Sequence, residues 1–287
     1  MPRLSSVLAP LRKMAVRVVF VLASVLVLSS FLPRETITIK GSDTMVILGQ
    51  RWAEAYMKRN PDVIVQVTAG GSGTGIAALI TGDTDICFAS RPLNAIEQER
   101  LERRFGTRGV AVRCAIDGLS IYVHPCNPVP SLTFAQIKGI YTGAIATWQA
   151  LGGPPRSIAL YGRENNSGTY VYLQEEVLDG APYAERVLRL PGTAAVVQAV
   201  SLDSAGIGYG GAAYSKGIRE VAIRRNEDAP AYEPTLENVQ GGQYPISRFL
   251  YLYLRGRPAG ELKKFVDWIL RDEGQAIVGE VGYFPLR

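Results

Sequence analysis

The chain has 287 residues, of which 47% are hydrophobic and 20% charged, so it is long enough to bury one large core or two medium ones. Its formal net charge of +5 would suit an anionic polymer, but four basic residues lie before position 34, and the remainder carries only +1. This nearly neutral body excludes a nucleic-acid-binding protein that uses a broad basic face.

Residues 1–33 have the pattern of a targeting segment, with a basic stretch up to Arg17 and an apolar run over residues 18–32. A run of this length is typical of an export signal and slightly short for a membrane span, which needs about 17 to 25 residues. No clear small-x-small cleavage site lies near Ser29, and no cysteine follows the run to accept a lipid. The pattern predicts export to the periplasm or the outer face of the cytoplasmic membrane, and leaves both cleavage and an uncleaved anchor open.

The body of the chain alternates short apolar runs with amphipathic stretches, which predicts an α/β fold with mostly parallel strands. The first unit is expected to begin with a strand at 36–40, a helix that ends at Arg59, a strand at 63–68 and a glycine loop at 69–75. A short helix at 76–81, a strand at 85–89 and a charged helix at 94–104 are expected to follow. The unit is expected to end with a β-like stretch at 110–123 that is interrupted at Asp117-Gly118.

A second unit is expected from about His124 onward. Its predicted elements are a helix at 134–141, a strand at 158–161, a helix from Ser167 to Leu178, a strand at 206–209, a loop at 226–243, a strand-like run at 249–254 and a final helix at 259–273.

Three loops rich in glycine, serine and threonine each join a predicted strand to a predicted helix, at residues 41–45, 70–75 and 166–169. The free N–H groups and the positive dipole end of a first helical turn attract anions, and hydroxyl groups add hydrogen-bond donors. One such loop is ordinary helix capping. Three of them, together with Arg163 four residues before Ser167, favour a single oxyanion pocket, because a guanidinium can make two parallel bonds to one oxyanion.

The glycine loop also permits another interpretation. Residues 73–78 fit the G-x-G-x-x-A dinucleotide fingerprint, which leaves a dinucleotide-binding oxidoreductase as an alternative. However, the helix that follows is short, and Ser90-Arg91 stands where an acid for the ribose would be expected. The sequence lacks a Walker Gly-Lys-Ser/Thr loop and a Gly-x-Ser-x-Gly motif, and it has one histidine. We therefore assign no catalytic residues and expect a protein that is not an enzyme.

Three cysteines and one histidine are too few, and wrongly spaced, for a zinc site, so neither a metal nor a cofactor is expected. Cys114 and Cys126 are the pair nearest in sequence for a disulfide in an oxidising compartment. The apolar runs around Cys87 and Cys114 instead favour buried free thiols.

Five strings occur in an order that resembles the phosphate-specific substrate-binding proteins of bacterial ABC importers. They are GSDTM at 41–45, AGGSGTGIAALITGDTDICFASR at 69–91, AIDG at 115–118, RENNSGTY at 163–170 and GYFPL at 282–286. The resemblance implies a two-lobed periplasmic-binding-protein fold of type II, in which each lobe is a mixed sheet flanked by helices and two crossing strands form the hinge. Residues 34–120 plus 246–287 would form lobe 1, and residues 121–245 would form lobe 2.

The resemblance also implies a set of phosphate-binding residues in the cleft between these lobes. They are Ser42, Asp43, Thr44 and Met45 in the first loop, Ser72 and Gly73 in the second, Arg91 and Asp117, and Arg163, Ser167, Gly168 and Thr169 at the third.

One departure from the family pattern concerns selectivity. Well-known members carry an aspartate directly after the Ala-Ser pair to accept the proton of hydrogenphosphate, and Arg91 holds that position here. Asp117, with Arg91 as its partner, is one candidate for the missing acceptor, and Asp43 is the other. An unpaired carboxylate disfavours sulfate, which has no proton to give.

The function implied by the resemblance is capture of inorganic phosphate by a monomeric protein that delivers the ion to the permease subunits of an importer. A membrane-tethered sensor of phosphate or a sulfate-like oxoanion remains an alternative, because the amino terminus can act as an uncleaved anchor.

Overall fold

The computed structural model describes residues 34–286, and the targeting segment predicted for residues 1–33 lies outside them. Ten strands are interspersed with nine α-helices along the described chain. The strands are β1 (Glu35–Gly41), β2 (Val63–Thr68), β3 (Ile86–Ala89), β4 (Val110–Val123), β5 (Ser131–Thr133), β6 (Ala159–Arg163), β7 (Leu188–Leu190), β8 (Gly206–Gly211), β9 (Arg219–Arg224) and β10 (Ser247–Leu254). The helices are α1 (Val46–Arg59), α2 (Ser72–Thr81), α3 (Ala95–Phe105), α4 (Phe134–Thr142), α5 (Gly168–Glu176), α6 (Gly192–Leu202), α7 (Leu236–Gln240), α8 (Gly260–Ile269) and α9 (Asp272–Val281).

The strands form one mixed sheet in the order β2-β1-β3-β10-β4-β8-β6-β7, with β9 beside β4 and β5 beside β9. Strand β1 is parallel to β3, and β6 is parallel to both β7 and β8. The two longest strands, β4 and β10, run antiparallel to each other and to their other neighbours. The predicted α/β class is confirmed, whereas the expectation of mostly parallel strands is corrected to a mixed sheet.

Strand β4 changes partners at its centre. Up to Gly118 it pairs with β10, and from Leu119 onward it pairs with β8. The interruption expected at Asp117-Gly118 is therefore wrong, because the strand runs through it without a break. The N–H of Leu119 donates to the carbonyl of Ile246 at 2.9 Å, so the chain enters β10 beside the same point.

Buried apolar side chains form two large clusters. One draws on residues 37–115 and 250–283, and the other on residues 119–246 together with Phe284. This partition resembles the predicted lobes, while Thr36–Arg287 as a whole forms one compact unit. The lobe bounds stay a prediction.

Several elements were not expected from the sequence. Helix α6 and strands β7 and β9 lie in stretches with no assigned element, and α7 falls inside the predicted loop at 226–243. The final helix expected at 259–273 is two helices, since α9 starts anew after Arg271. Asp272 and Glu273 in its first turn favour that start, because acidic side chains stabilise the positive end of a helix.

The three cysteines are free. Cys87 and Cys114 are buried, and burial raises the pKa of both thiols. Cys126 is exposed, so the suggested Cys114–Cys126 disulfide is not formed.

Among residues 34–286, none of the helices combines the length and the apolar character needed to cross a membrane.

Gly41, at the end of β1, positions the first glycine-rich loop and tolerates no side chain. Its φ is +149°, and a Cβ atom there would overlap the carbonyl of Phe88 on the neighbouring strand. We expect Gly41→Ala to lower the free energy of unfolding by about 2 kcal/mol or more, as strained backbone alone costs about 1 to 3 kcal/mol. Urea denaturation measures this loss. Gly256→Ala is the control because nothing lies within 4 Å of its Cβ position. Equal losses in the two variants would contradict this account of Gly41.

Candidate anion-binding site

Polar side chains from the three glycine-rich loops meet in one buried region. Each of the following is less than a tenth exposed: Ser42, Thr44, Ser72, Ser90, Asp117, Arg163, Ser167, Thr169, Thr193 and Arg248. Polar groups at this depth need hydrogen-bond partners or a ligand, because leaving them unpaired costs free energy. The structure therefore brings together the loops that the sequence singled out.

A pair of threonines joins the first loop to the third. The hydroxyl oxygens of Thr44 and Thr169 lie 3.0 Å apart, and either can donate. Ser167 caps helix α5, since its Oγ accepts a hydrogen bond from the N–H of Thr169 at 3.2 Å. The hydrogen of the Ser167 hydroxyl remains free to turn toward another acceptor.

Three serines link the first and second loops. The Ser42 hydroxyl donates to Oγ of Ser90 at 3.0 Å, and the Ser90 N–H donates to Oγ of Ser72 at 3.1 Å. Gly168 brings the third loop to the same point, because a Cβ atom on it would overlap the hydroxyls of Ser72 and Ser90. Ser90 was not among the predicted residues, although it directly precedes Arg91 in the Ala-Ser-Arg string.

Arg163 lies at the end of β6, and both of its terminal nitrogens donate hydrogen bonds to other side chains of the protein. Nη2 donates to Oδ2 of Asp43 at 2.7 Å, and Nη1 donates to the hydroxyl of Thr193 at 2.7 Å. Its Nε is buried and has no hydrogen-bond partner in the described part of the chain. The other oxygen of Asp43 accepts the Gly70 N–H at 3.2 Å, so this carboxylate is a countercharge whose two oxygens are both bonded. Thr193 was missed because it lies on the unpredicted helix α6.

A second arginine, Arg248, pairs with Asp117. The register of β10 against β4 places the two residues directly opposite, where opposite charges on neighbouring strands attract. Nε and Nη2 of Arg248 both donate to Oδ2 of Asp117, at 3.1 and 2.8 Å, and Nη2 also donates to the hydroxyl of Thr169 at 2.9 Å. Burial raises the pKa of Asp117, and Arg248 partly opposes that rise.

The predicted pairing of Arg91 with Asp117 is wrong. The guanidinium of Arg91 instead makes two bonds to the carboxylate of Glu97, at 2.7 and 2.8 Å. Glu97 lies in the first turn of α3, only six residues away, so it reaches Arg91 without any long-range contact. Arg248 was missed, although a single arginine at the start of an apolar strand was the available signal.

The backbone N–H groups of Met45 and Gly73, two residues predicted at the site, donate to carbonyl groups of the protein. The N–H of Met45 donates to the carbonyl of Ser42 at 3.0 Å, and that of Gly73 donates to the carbonyl of Asn166 at 2.9 Å. Asn166 thus occupies the space against the glycine loop where a dinucleotide pyrophosphate would have to lie. The geometry therefore counts against the oxidoreductase alternative.

A cleft of about 530 Å³ borders the buried region. Its lining includes Arg91, Asn94, Tyr172, Glu175, Arg248 and Phe249. Arg248 belongs to both the cleft and the buried network, so the network lies at the edge of the cleft.

Comparison with known sequences places these features in a family. The profile of the PBP superfamily domain matches residues 32–273. The phosphate-binding protein PstS of Pseudomonas aeruginosa is 36% identical over 263 residues, which cover 86% of this chain and 81% of that protein. The phosphate-binding protein PstS of Bacillus subtilis is 32% identical and covers 88% of this chain and 81% of its own length.

Solved structures agree with the sequence comparison. A substrate-binding protein from Clostridium perfringens, crystallised with bound phosphate, has a TM-score of 0.80 and 30% identity, covering 88% of this chain and 100% of that one. An ABC-type phosphate transport receptor from Vibrio cholerae has a TM-score of 0.70 and 27% identity, covering 86% and 99%. The type II periplasmic-binding-protein fold implied by the resemblance is confirmed. The chain belongs to the PBP superfamily and, within it, to the family of PstS phosphate-binding proteins.

Proposed function

We propose that this protein captures one inorganic phosphate ion in the buried network and delivers it to the permease subunits of an ABC importer. The observation that carries this proposal is the burial, at one point, of hydroxyl groups from three loops beside two arginines. The relatives support it, since two are named phosphate-binding proteins and a third was crystallised with phosphate.

Hydrogen bonds, not excess positive charge, would supply the affinity. Arg163 and Arg248 are each paired with an aspartate, so the two pairs have no net charge between them. Each arginine nevertheless keeps one buried N–H group without a partner among the described residues, Nε on Arg163 and Nη1 on Arg248. Charge-assisted donors in a site shielded from water bind an anion more strongly than the same donors at a surface.

The positive end of α5 adds to these donors. Gly168 is the first residue of that helix and lies against Ser72 and Ser90. Because the N-terminus of a helix favours negative charge, we infer that the ion sits near the start of α5.

Asp117 is the better candidate for the acceptor that distinguishes hydrogenphosphate from sulfate. Both oxygens of Asp43 are already bonded, to Arg163 and to the Gly70 N–H. Asp117 bonds Arg248 through Oδ2, and its buried Oδ1 lies against the backbone of Gly211 and Ala212 without a hydrogen bond of good geometry among the described residues. We therefore assign to Asp117 the role of accepting the proton of the bound ion.

Closure of two lobes would explain how the ion enters a buried site. Several contacts join the predicted lobe 1, residues 34–120 plus 246–287, to the predicted lobe 2, residues 121–245, among them Thr44 with Thr169, Asp43 with Arg163, Arg248 with Thr169, and Gly73 with Asn166. Opening at the point where β4 changes partners would break these contacts and expose the donors.

We infer that the protein is a binding protein and not an enzyme. It would act outside the cytoplasm as a monomer. Residues 1–33 would direct its export or anchor it to the membrane. The same site would serve a tethered oxoanion sensor, and phosphate uptake by cells that lack the protein separates that role from transport.

Calorimetric titration of the purified protein with phosphate and, separately, with sulfate tests the proposal. We expect saturable one-to-one binding of phosphate, with sulfate at least about 100-fold weaker, because a carboxylate that meets no proton repels the sulfate oxygens. Failure to bind phosphate would overturn the proposed function.

Replacement of the first arginine should weaken binding strongly. We expect Arg163→Ala to reduce phosphate affinity by about 2 to 5 kcal/mol, because a buried partner of both the ion and Asp43 is lost. The matched control is Arg156→Ala, since Arg156 is exposed and bonds Ser204. Similar phosphate affinities for the two variants would show that Arg163 is not an anchor of the ion.

A methyl group at the start of α5 should obstruct the site. We expect Gly168→Ala to weaken phosphate binding by about tenfold or more, equivalent to about 1.4 kcal/mol, because its Cβ would displace the hydroxyls of Ser72 and Ser90. Gly279→Ala, in helix α9, should leave binding unchanged because only Pro285 lies within 4 Å of its Cβ position. Titration of both variants gives the comparison, and unaltered binding by Gly168→Ala would place the ion elsewhere.

A further inference from the structure

The ion pair between Arg248 and Asp117 uses only one of the two carboxylate oxygens. Both donated bonds from Arg248 fall on Oδ2 of Asp117, at 3.1 and 2.8 Å. The opposite atoms of the pair, Oδ1 of the carboxylate and Nη1 of the guanidinium, are buried and make no hydrogen bond of good geometry in the described chain, although Oδ1 lies against the backbone of Gly211 and Ala212. The side chain of Arg248 is 4% exposed and that of Asp117 is 0% exposed, so water does not readily satisfy these atoms.

Such a pair offers one acceptor and one donor to a ligand. Hydrogenphosphate carries an O–H group and charged oxygens, so it can donate to Oδ1 and accept from Nη1. Sulfate at neutral pH has only acceptors and would leave Oδ1 facing a negative oxygen, which is unfavourable in a buried site. The hydroxyl of Thr169, 2.9 Å from Nη2 of Arg248, links this pair to the third loop.

We propose that Arg248 determines which tetrahedral anion the site accepts, because it fixes Oδ2 of Asp117 and leaves Oδ1 to take a hydrogen bond from the anion. This inference rests on the proposed function, namely that the buried network binds phosphate. Arg248 is thereby a positioning residue that acts on specificity through Asp117.

The electrostatics of the pair give the proposal a pH signature. Burial raises the pKa of Asp117, and the charge and hydrogen bonds of Arg248 lower it. Without Arg248, burial is opposed only by the weaker influence of the Ala212 backbone N–H, so the carboxyl group holds its proton up to a higher pH. A protonated Asp117 donates a hydrogen bond, and sulfate can accept it. In a protein without Arg248, sulfate binding should therefore appear at low pH and be lost as the pH rises through the pKa of Asp117.

Other titratable groups also surround Asp117. They are Tyr122 on β4, Tyr172 on α5, Tyr214 after β8, Glu220 on β9, Tyr244 before β10 and Tyr283 near the carboxyl terminus. Burial raises the pKa of each of these phenols, which keeps them uncharged around neutral pH. The pKa of Glu220 is also raised by burial, so Glu220 is the other carboxyl group whose titration must be separated from that of Asp117.

The test is calorimetric titration of the full chain with phosphate and with sulfate at pH 5.5, 7.0 and 8.5. Sulfate is the informative probe because it carries no proton over this range, so any pH dependence belongs to the protein. For Arg248→Met we expect phosphate affinity to fall about 100-fold or more. We also expect the sulfate-to-phosphate affinity ratio to rise at least about tenfold, most at pH 5.5, because Asp117 becomes protonated.

Further variants assign the titration to Asp117. In the double variant Arg248→Met with Asp117→Asn, sulfate binding should lose its pH dependence. Adding Glu220→Gln to Arg248→Met should leave that dependence in place. Arg255→Met breaks a different arginine pair, with Asp85, and should keep the wild-type ratio at every pH.

Arg248→Lys provides the second measurement should Arg248→Met fail to fold, as judged by circular dichroism. A lysine retains the positive charge, so this variant should lose affinity for phosphate but still discriminate against sulfate. Binding of sulfate and phosphate by Arg248→Lys with equal affinity would overturn the inference. A folded Arg248→Met protein with the wild-type ratio and pH profile would do the same. Failure of the wild-type protein to bind phosphate would instead overturn the proposed function.

Discussion

Two buried arginine–aspartate pairs hold the candidate anion site together. Arg163 with Asp43 and Arg248 with Asp117 are each joined by a bond of 2.7 or 2.8 Å, and each arginine side chain is at most 4% exposed. A buried charge without a partner costs several kilocalories, so each pair must form for the surrounding loops to pack. The rest of the site depends on this constraint, because Thr193 is fixed by the first pair and Thr169 by the second.

Because each arginine is paired with an aspartate, the two pairs carry no net charge, and this affects how the candidate site would discriminate between ligands. A strongly positive pocket would attract any anion and would remain costly to bury when empty. Here the charges cancel, and what remains for a ligand is a pattern of directed donors with one acceptor. Such a pattern favours an ion by its shape and by the position of its proton, which is the selectivity that the proposed function requires.

The fold places this chemistry where the chain crosses between its two apolar clusters. Asp117 and Arg248 lie on β4 and β10, next to the point where β4 changes partners. Movement about that point would alter the contact between Arg248 and Thr169 directly. Recognition of the ion and closure of the cleft therefore involve the same few bonds in the mechanism that we propose.

The sequence by itself determined the local features of this protein. The α/β class, the three loops of glycine, serine and threonine, and the choice of Arg163 as a candidate anion ligand follow from short-range patterns, because helix starts and turns depend on residues close in the chain. Only the tertiary structure decided which aspartate pairs with which arginine. Asp117 and Arg248 are separated by 131 residues and Asp43 and Arg163 by 120, and their pairing depends on strand register and on packing between distant segments. Arg91 illustrates the difference: as an isolated cation it could pair with any acid, and only the fold shows that Glu97 is its partner and that Arg248 is the arginine beside Asp117.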